Sequence, residues 1–329
     1  MQSYVGQVYV RLSGLGLIII VLAITGFSQN MFRKMNDFAG DGKTDFAVTR
    51  REGSSHSKVW YIWQSRDGFK AFVWGIDGDM NAPGDYDGDG KTDIAIFRPV
   101  NFPPIIHYFW IWNSGSNNFT QVGFADVVPA HAPMQQDYNG DGKTDPAVWI
   151  SKFSEPPTTA PTNVYVNYSG TTGGLQFQIP PQSRPFRGGD MTGDGRADRV
   201  HYKFDFQINN NAVSITDIVT GASRVVPFGK IDDRFIPGDF DGDGIGDVAI
   251  WRSSDGTWWW LRSSDNTVRA AKWGVDGDIP VPGDYDGDGI TDLAIWRPGS
   301  DQAYYWIYGS QNGISVFPWG LPTDTVVEP

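Results

Sequence analysis

The sequence predicts an all-β fold, a β-propeller of six four-stranded blades, with seven blades as the alternative. Three observations carry this. A nine-residue Asp/Gly-rich loop recurs six times along the 329 residues, beginning at Asp37, Asp85, Asp137, Asp190, Asp239 and Asp284. Each loop opens a unit of about 50 residues, the length of a propeller blade rather than of an ordinary domain. The composition, with 40 Gly, 21 Pro, 14 Trp and 14% aromatic residues, suits short strands joined by tight turns.

The elements follow in chain order. Residues 1–28 read as an export signal. Arg11 gives the positive flank, Leu15 to Phe27 is an uncharged run, and Gly26 and Ser28 occupy the −3 and −1 positions of a cut after Ser28. The run falls short of the roughly 20 residues that span a bilayer. The alternative is an uncleaved N-terminal anchor, the one reading that brings in a membrane. Either places the rest of the chain outside the cytoplasm, secreted or at the cell surface. Residues 29–329 then form a single propeller domain, divided at about 29–79, 80–131, 132–184, 185–234, 235–279 and 280–329.

Within each unit the loop precedes a short apolar strand. Ile94-Ala95-Ile96-Phe97-Arg98, Val248-Ala249-Ile250-Trp251-Arg252 and Leu293-Ala294-Ile295-Trp296-Arg297 share one pattern, that of a buried strand bounded by turn signals. An aromatic strand comes next, as in Val59–Trp63, Tyr108–Trp112, Thr257–Leu261 and Tyr304–Tyr308. A third strand ends in aromatic-Gly (Trp74-Gly75, Phe228-Gly229, Trp273-Gly274, Trp319-Gly320), and a short Pro-containing strand leads into the next loop. The tail from Trp319 to Val327 repeats the segment from Trp273 to Val281 and stops where another loop would start. This partial strand is expected to pair into the N-terminal blade and close the ring, which protects strand edges.

The loops are expected to hold calcium, up to six ions. In Asp85-Tyr86-Asp87-Gly88-Asp89-Gly90-Lys91-Thr92-Asp93 carboxylates occupy positions 1, 3, 5 and 9, and Gly at 4 and 6 lets the chain turn sharply. Converging carboxylates repel unless a cation lies among them. Calcium accepts 6–8 oxygens in flexible geometry, including a backbone carbonyl at position 7; magnesium is stricter and ranks second. Zinc is disfavoured by four scattered His and no Cys. The expected ligands are Asp37, Asp41, Asp45 and the Lys43 carbonyl in loop 1; Asp85, Asp87, Asp89, Asp93 and Lys91 in loop 2; Asp137, Asn139, Asp141, Asp145 and Lys143 in loop 3. They continue as Asp190, Thr192, Asp194, Asp198 and Arg196 in loop 4; Asp239, Asp241, Asp243, Asp247 and Ile245 in loop 5; and Asp284, Asp286, Asp288, Asp292 and Ile290 in loop 6. Ala39, Asn139 and Thr192 weaken position 3 of loops 1, 3 and 4, so loops 2, 5 and 6 are expected to bind best. A strand follows the ninth residue, whereas an EF-hand needs twelve positions, a terminal Glu and flanking helices. Without residues 1–28 the chain has 25 basic and 38 acidic residues, a net charge of −13, and six divalent ions would offset all but one of these charges.

These loops and strands resemble the FG-GAP/VCBS repeat family, whose DxDGDGxxD loops precede an apolar strand. Phe228-Gly229 before Ile236-Pro237-Gly238, and Trp74-Gly75 before Ala82-Pro83-Gly84, echo the pattern that names it. The resemblance spans residues 30–329. It implies blades with calcium loops between their first and second strands, as in the integrin α-subunit head, and relatives exported for adhesion or carbohydrate binding. Two features depart from it. Many family propellers have seven blades, and unit 4 places Arg199 where an apolar strand residue is expected.

Function is less legible. An acidic chain disfavours a nucleic-acid partner. There is no Gly-x-Ser-x-Gly elbow, phosphate-binding Gly loop or His-Glu-x-x-His motif, and His56, His107, His131 and His201 fall in three different units. No catalytic residues are expected. The Asp pairs of a glycosidase are the enzymatic alternative, weakened because their spacing assigns them to the loops. The expected role is an extracellular binding or adhesion module for a protein or glycan, calcium being mainly structural. A structural subunit of a surface assembly is the alternative. Exposed Trp and Tyr beside Arg suit sugar rings, but repetition at matched positions, as in Trp251-Arg252 and Trp296-Arg297, is what packing between blades produces. Pro-rich inserts at Asn101 to Ile106 and Phe153 to Asn163 are expected to project as surface loops.

Overall fold

A computed structural model describes residues 35–54, 56–100, 106–125, 130–150 and 161–328. The export-signal segment, most of both Pro-rich inserts and the side chain of His131 lie outside the described residues.

The described residues form six four-stranded antiparallel sheets and no helix. Blade 1 contains β1 (Phe46–Glu52), β2 (Ser57–Gln64) and β3 (Gly68–Ile76). Blade 2 runs through β4 (Met80–Asn81), β5 (Ile94–Arg98), β6 (Ile106–Asn113) and β7 (Asn118–Ala125). Blade 3 has β8 (Ala130–Pro133), β9 (Ala147–Ile150), β10 (Thr162–Asn167) and β11 (Gly174–Ile179). Blade 4 has β12 (Arg184–Pro185), β13 (Arg199–Asp205), β14 (Asn210–Thr216) and β15 (Ser223–Pro227). Blade 5 follows with β16 (Arg234–Ile236), β17 (Val248–Arg252), β18 (Thr257–Leu261) and β19 (Val268–Lys272). Blade 6 has β20 (Ile279–Pro280), β21 (Leu293–Pro298), β22 (Ala303–Gly309) and β23 (Gly313–Pro318). The last strand, β24 (Thr325–Val326), pairs Val326 with Val48 and Thr325 with Thr49, so blade 1 takes its first strand from the C-terminus. The expected ring closure therefore forms, with six blades.

The expected divisions at 131/132, 184/185, 234/235 and 279/280 pass through or beside first strands of only two to four residues. Such strands are too short to show a periodicity. Arg199 does not stop β13, which pairs with β14 over seven residues.

The core lies between blades. Six buried clusters each join one blade to the next. Phe97, Phe109 and Ile111 of blade 2 pack with Val148 and Ile150 of blade 3. Trp296, Tyr305 and Ile307 of blade 6 pack with Val48 and Val326 of blade 1. Trp60, Trp258 and Trp296 are almost fully buried, and each indole donates to the carbonyl of a Trp on its own blade's fourth-strand side, Trp74, Trp273 or Trp319. Those Trp in turn donate into the neighbouring blade, at Trp110, Trp306 and Tyr61. The fourth strand is the exposed edge, as Val73, Val225, Val268 and Ile314 show.

Candidate metal centres

Loops 2 to 6 each connect the first and second strands of their blade and loop 1 leads into β1, all at the same end as the turn between the third and fourth strands. Position 1 organises the loop. The Asp85 carboxylate accepts from the amides of Gly88 and Gly90, and Asp239 and Asp284 do the same at their own positions 4 and 6. Position 9 ties two segments together. One oxygen of Asp93 accepts from Tyr86 N, at position 2, and the other from Ser114 N in the β6–β7 turn. Asp145, Asp247 and Asp292 repeat this with Ser169, Ser263 and Ser310. Asp45 takes the Ala39 amide and Ser65. In loop 4 the Thr192 hydroxyl donates to Asp198 instead.

The loops are joined in a circle. The position-8 amide of each donates to the position-1 carbonyl of the preceding loop: Thr92 to Asp37, Thr144 to Asp85, Ala197 to Asp137, Gly246 to Asp190, Thr291 to Asp239, and Thr44 to Asp284, all at 2.6–2.8 Å. The position-7 side chain follows the same direction. A Cβ added to Gly88, at φ +82°, would lie 3.0 Å from Lys143 Cε. At Gly40, Gly140, Gly193, Gly242 and Gly287 the neighbour is Lys91, Arg196, Ile245, Ile290 and Lys43, respectively. Position 4 therefore needs Gly for its backbone conformation and for the chain crossing it.

Three loops gather carboxylates into a cation site. In Asp85/Asp87/Asp93, Asp239/Asp241/Asp247 and Asp284/Asp286/Asp292, one oxygen from each of positions 1, 3 and 9 lies within 4.8 Å of the others. These groups can hold a metal ion. They are the loops whose sequence retains position 3. Where Ala39, Asn139 or Thr192 stands there, no such carboxylate triad forms among the described residues. Position 5 lies outside the triads: Asp89, Asp243 and Asp288 accept from Ser114, Ser263 and Ser310 hydroxyls. Arg262 Nε approaches Asp241 at 3.3 Å in loop 5.

Burial gives these sites their electrostatics. Desolvation raises the position-9 carboxyls from the ordinary 3.8, to about 6 at Asp45 and Asp93 and to about 7 at Asp145, Asp198, Asp247 and Asp292, against the opposing pull of their amide donors. Burial likewise raises Asp37, Asp137, Asp190 and Asp284 at position 1.

Sequence reasoning missed two repeated features. The turn Ser residues were unassigned, although Ser114, Ser263 and Ser310 stand at matched places after the aromatic strand. The second feature lies at the opposite end of the blades. Arg98, Arg252 and Arg297 make two-pronged ion pairs with Asp79, Asp233 and Asp278 at 2.5–2.8 Å, and Arg50 does so with Asp324. Each guanidinium also lies over a third-strand ring, Trp110, Trp259, Trp306 or Tyr61, 4.5–5.8 Å from its centre. An Asp recurs four residues after the aromatic-Gly glycine, in Gly75/Asp79, Gly229/Asp233, Gly274/Asp278 and Gly320/Asp324, a spacing that could have signalled the Asp partner but not its pairing. His107 and His201 are buried in separate blades, and burial lowers His201 to about 4, leaving it neutral.

The FG-GAP-like repeat family matches residues 37–96 and 239–295, the segments holding loops 1, 2, 5 and 6. No curated protein matches the chain. Among solved structures, the β-propeller domain of the Trilobed protease from Pyrococcus furiosus is similar at 12% identity, covering 85% of this chain and 92% of that one, with a TM-score of 0.46. A mutant of AofleA from Arthrobotrys oligospora is similar at 11% identity, covering 83% of each chain, with a TM-score of 0.50. A putative 6-phosphogluconolactonase from Bacteroides uniformis is 10% identical over 84% of each chain, with a TM-score of 0.42. At such identities the likeness is one of fold.

Proposed function

We propose that this six-bladed propeller with FG-GAP-like repeats is an exported binding module, stiffened by calcium and presenting its surfaces to an extracellular protein or glycan. The observation that carries the calcium reading is the convergence of three carboxylates in each of loops 2, 5 and 6, those at positions 1 and 9 buried and that at position 3 half-buried. The donor set is all oxygen, in loops whose Gly positions allow close wrapping, which suits a hard cation of flexible coordination. Asp85, Asp87 and Asp93, with their counterparts in loops 5 and 6, would hold the ions. A bound cation supplies the positive charge that lets these carboxylates stay ionised together. Loops 1, 3 and 4 keep the same backbone path, so they contribute mainly to the circle.

The role of the ions is to stabilise rather than react. At free calcium tenfold above the dissociation constant, each site adds about 1.4 kcal/mol. Three such sites add roughly 4 kcal/mol, a large share of a typical domain's stability. A rigid propeller with loops at both ends is a scaffold for recognition. Thermal melts of calcium-loaded and EDTA-treated protein test this. A clear fall in Tm, reversed by calcium and less well by magnesium, is expected. Superimposable melts would remove calcium from the account. A pull-down and a glycan array, both with calcium present, then separate protein from glycan partners.

A further inference from the structure

The junction of blades 6 and 1 carries a cavity of about 290 Å³, at the small end of ligand sites. Its walls include Val48, Arg50, Tyr61, Gln302, Trp319 and Leu321. It lies at the end of the second strand remote from the metal loops.

We propose that this groove binds one neutral sugar ring, the terminal residue of a glycan; this rests on the binding-module reading above and gives it a site. Three observations point there. First, the wall combines aromatic and aliphatic surface with polar groups already held in place. Arg50 is fixed by Asp324 through Nε and Nη2 at 2.6 and 2.9 Å and lies 4.5 Å above the Tyr61 ring. The Tyr61 hydroxyl donates to Glu52, and Gln302 Nε2 donates to Gly320 O at 2.7 Å. A pyranose presents an apolar C–H face and an edge of hydroxyls, which such a wall complements. Prior fixing of the polar groups lowers the ordering cost of binding.

Second, the charge selects against anions. One guanidinium faces two carboxylates, Asp324 and Glu52, with Arg50 Nη1 3.5 Å from the latter. The local balance is negative, so a uronate or phosphate would be repelled.

Third, this junction departs from its counterparts. Where Tyr61 stands, blades 2, 5 and 6 carry Trp110, Trp259 and Trp306 under their own Arg. The smaller phenol leaves more room beside Trp319. The rim continues into apolar surface, with Trp63 38% and Phe69 53% exposed and both edge-on to Trp319. Such surface is where a longer glycan would continue.

The test titrates the full calcium-loaded chain with methyl glycosides of neutral hexoses and 6-deoxyhexoses, and with glucuronate, following tryptophan fluorescence and saturation-transfer NMR. At least one neutral glycoside is expected to bind saturably, and more tightly than glucuronate. Leu321→Trp fills the mouth from an exposed position. Tyr61→Trp installs the ring that three other blades accommodate. Both are expected to weaken binding at least about tenfold with Tm and its calcium dependence unchanged. No binding by any neutral glycoside, preference for glucuronate, or full affinity in both variants would each overturn the groove as a sugar site. Because the calcium dependence of Tm is read separately, loss of the groove leaves the stabilising role standing, and the reverse.

Discussion

At the scale of single residues, the position-9 aspartates carry the most consequence. Each is buried, accepts amides from its loop and usually from a neighbouring turn, and ionises with difficulty because water is excluded. Asp145, Asp198, Asp247 and Asp292 have folded values of about 7 against 3.8 for an ordinary Asp. The unfolded chain therefore releases these protons more readily than the folded one. Without metal, stability is lowest above about pH 7, rises as pH falls through 7, and gains nothing more below about 4. Calcium needs the ionised form, so its affinity moves the other way. The expected result is that Tm of the EDTA-treated protein rises from pH 8 to pH 5 while the increment due to calcium shrinks. A metal-free Tm that falls over this range would contradict the assignment. The position-4 glycines give a second, independent check. Gly88→Ala places a side chain in the left-handed region and presses it against Lys143, for a loss of about 1–3 kcal/mol in denaturant unfolding. Gly90→Ala, at φ +88° with nothing within 4 Å of the added carbon, should lose less because only the backbone term applies.

At the scale of elements, the second and third strands were legible because they are long enough to show a pattern. β5, β17 and β18 fall on the segments expected from Ile94–Arg98, Val248–Arg252 and Thr257–Leu261. The candidate triads were legible too, since an acid at position 3 is a residue identity. The first strands were legible only in part: β20 falls on the Pro-containing segment expected before loop 6 and β24 on the expected closing tail, but β4 and β12, two residues each, left no pattern to place the unit boundaries. Nor was the Arg–Asp link, because it joins residues 19 apart in blades 2, 5 and 6 and 274 apart in blade 1 across a turn whose geometry no local pattern reports. This link pins the second strand to the turn entering its own first strand, at the end opposite the loops. Arg252→Met keeps the aliphatic stem but leaves Asp233, whose side chain is 2% exposed, without its cation. The Arg252 side chain keeps 20% of its surface in water, which limits the loss, for which about 2 kcal/mol is expected. The double variant with Asp233→Asn should recover part of it, as a double-mutant cycle would show. Additive losses would mean that the pair does not act as a unit.

At the scale of the whole molecule, stability depends on closing the circle twice over. One closure is the loop ring, completed where Thr44 N meets Asp284 O. The other is β24. Val326 and Val327 are buried, Val327 N donates to Ala47 O, Asn36 Nδ2 donates to Val327 O, and Asp324 holds Arg50. These contacts join residues almost 300 positions apart, so they form only after five inter-blade packings have accumulated enough rotation to bring the ends together. Closure is then the step with the largest chain-entropy cost. Removing residues 322–329 deletes two buried Val and the Arg50 partner and leaves β1 with an unpaired edge. From apolar burial and the lost pair the loss is roughly 5 kcal/mol. The truncated chain is expected to melt several degrees lower, to exchange the amides of Ala47 to Thr49 first, and to self-associate through the open edge of blade 1. A peptide spanning residues 320–328, added in trans, should restore part of the Tm and suppress association. Protection of Ala47 to Thr49 that is unchanged by truncation would show that the loop circle alone closes the ring.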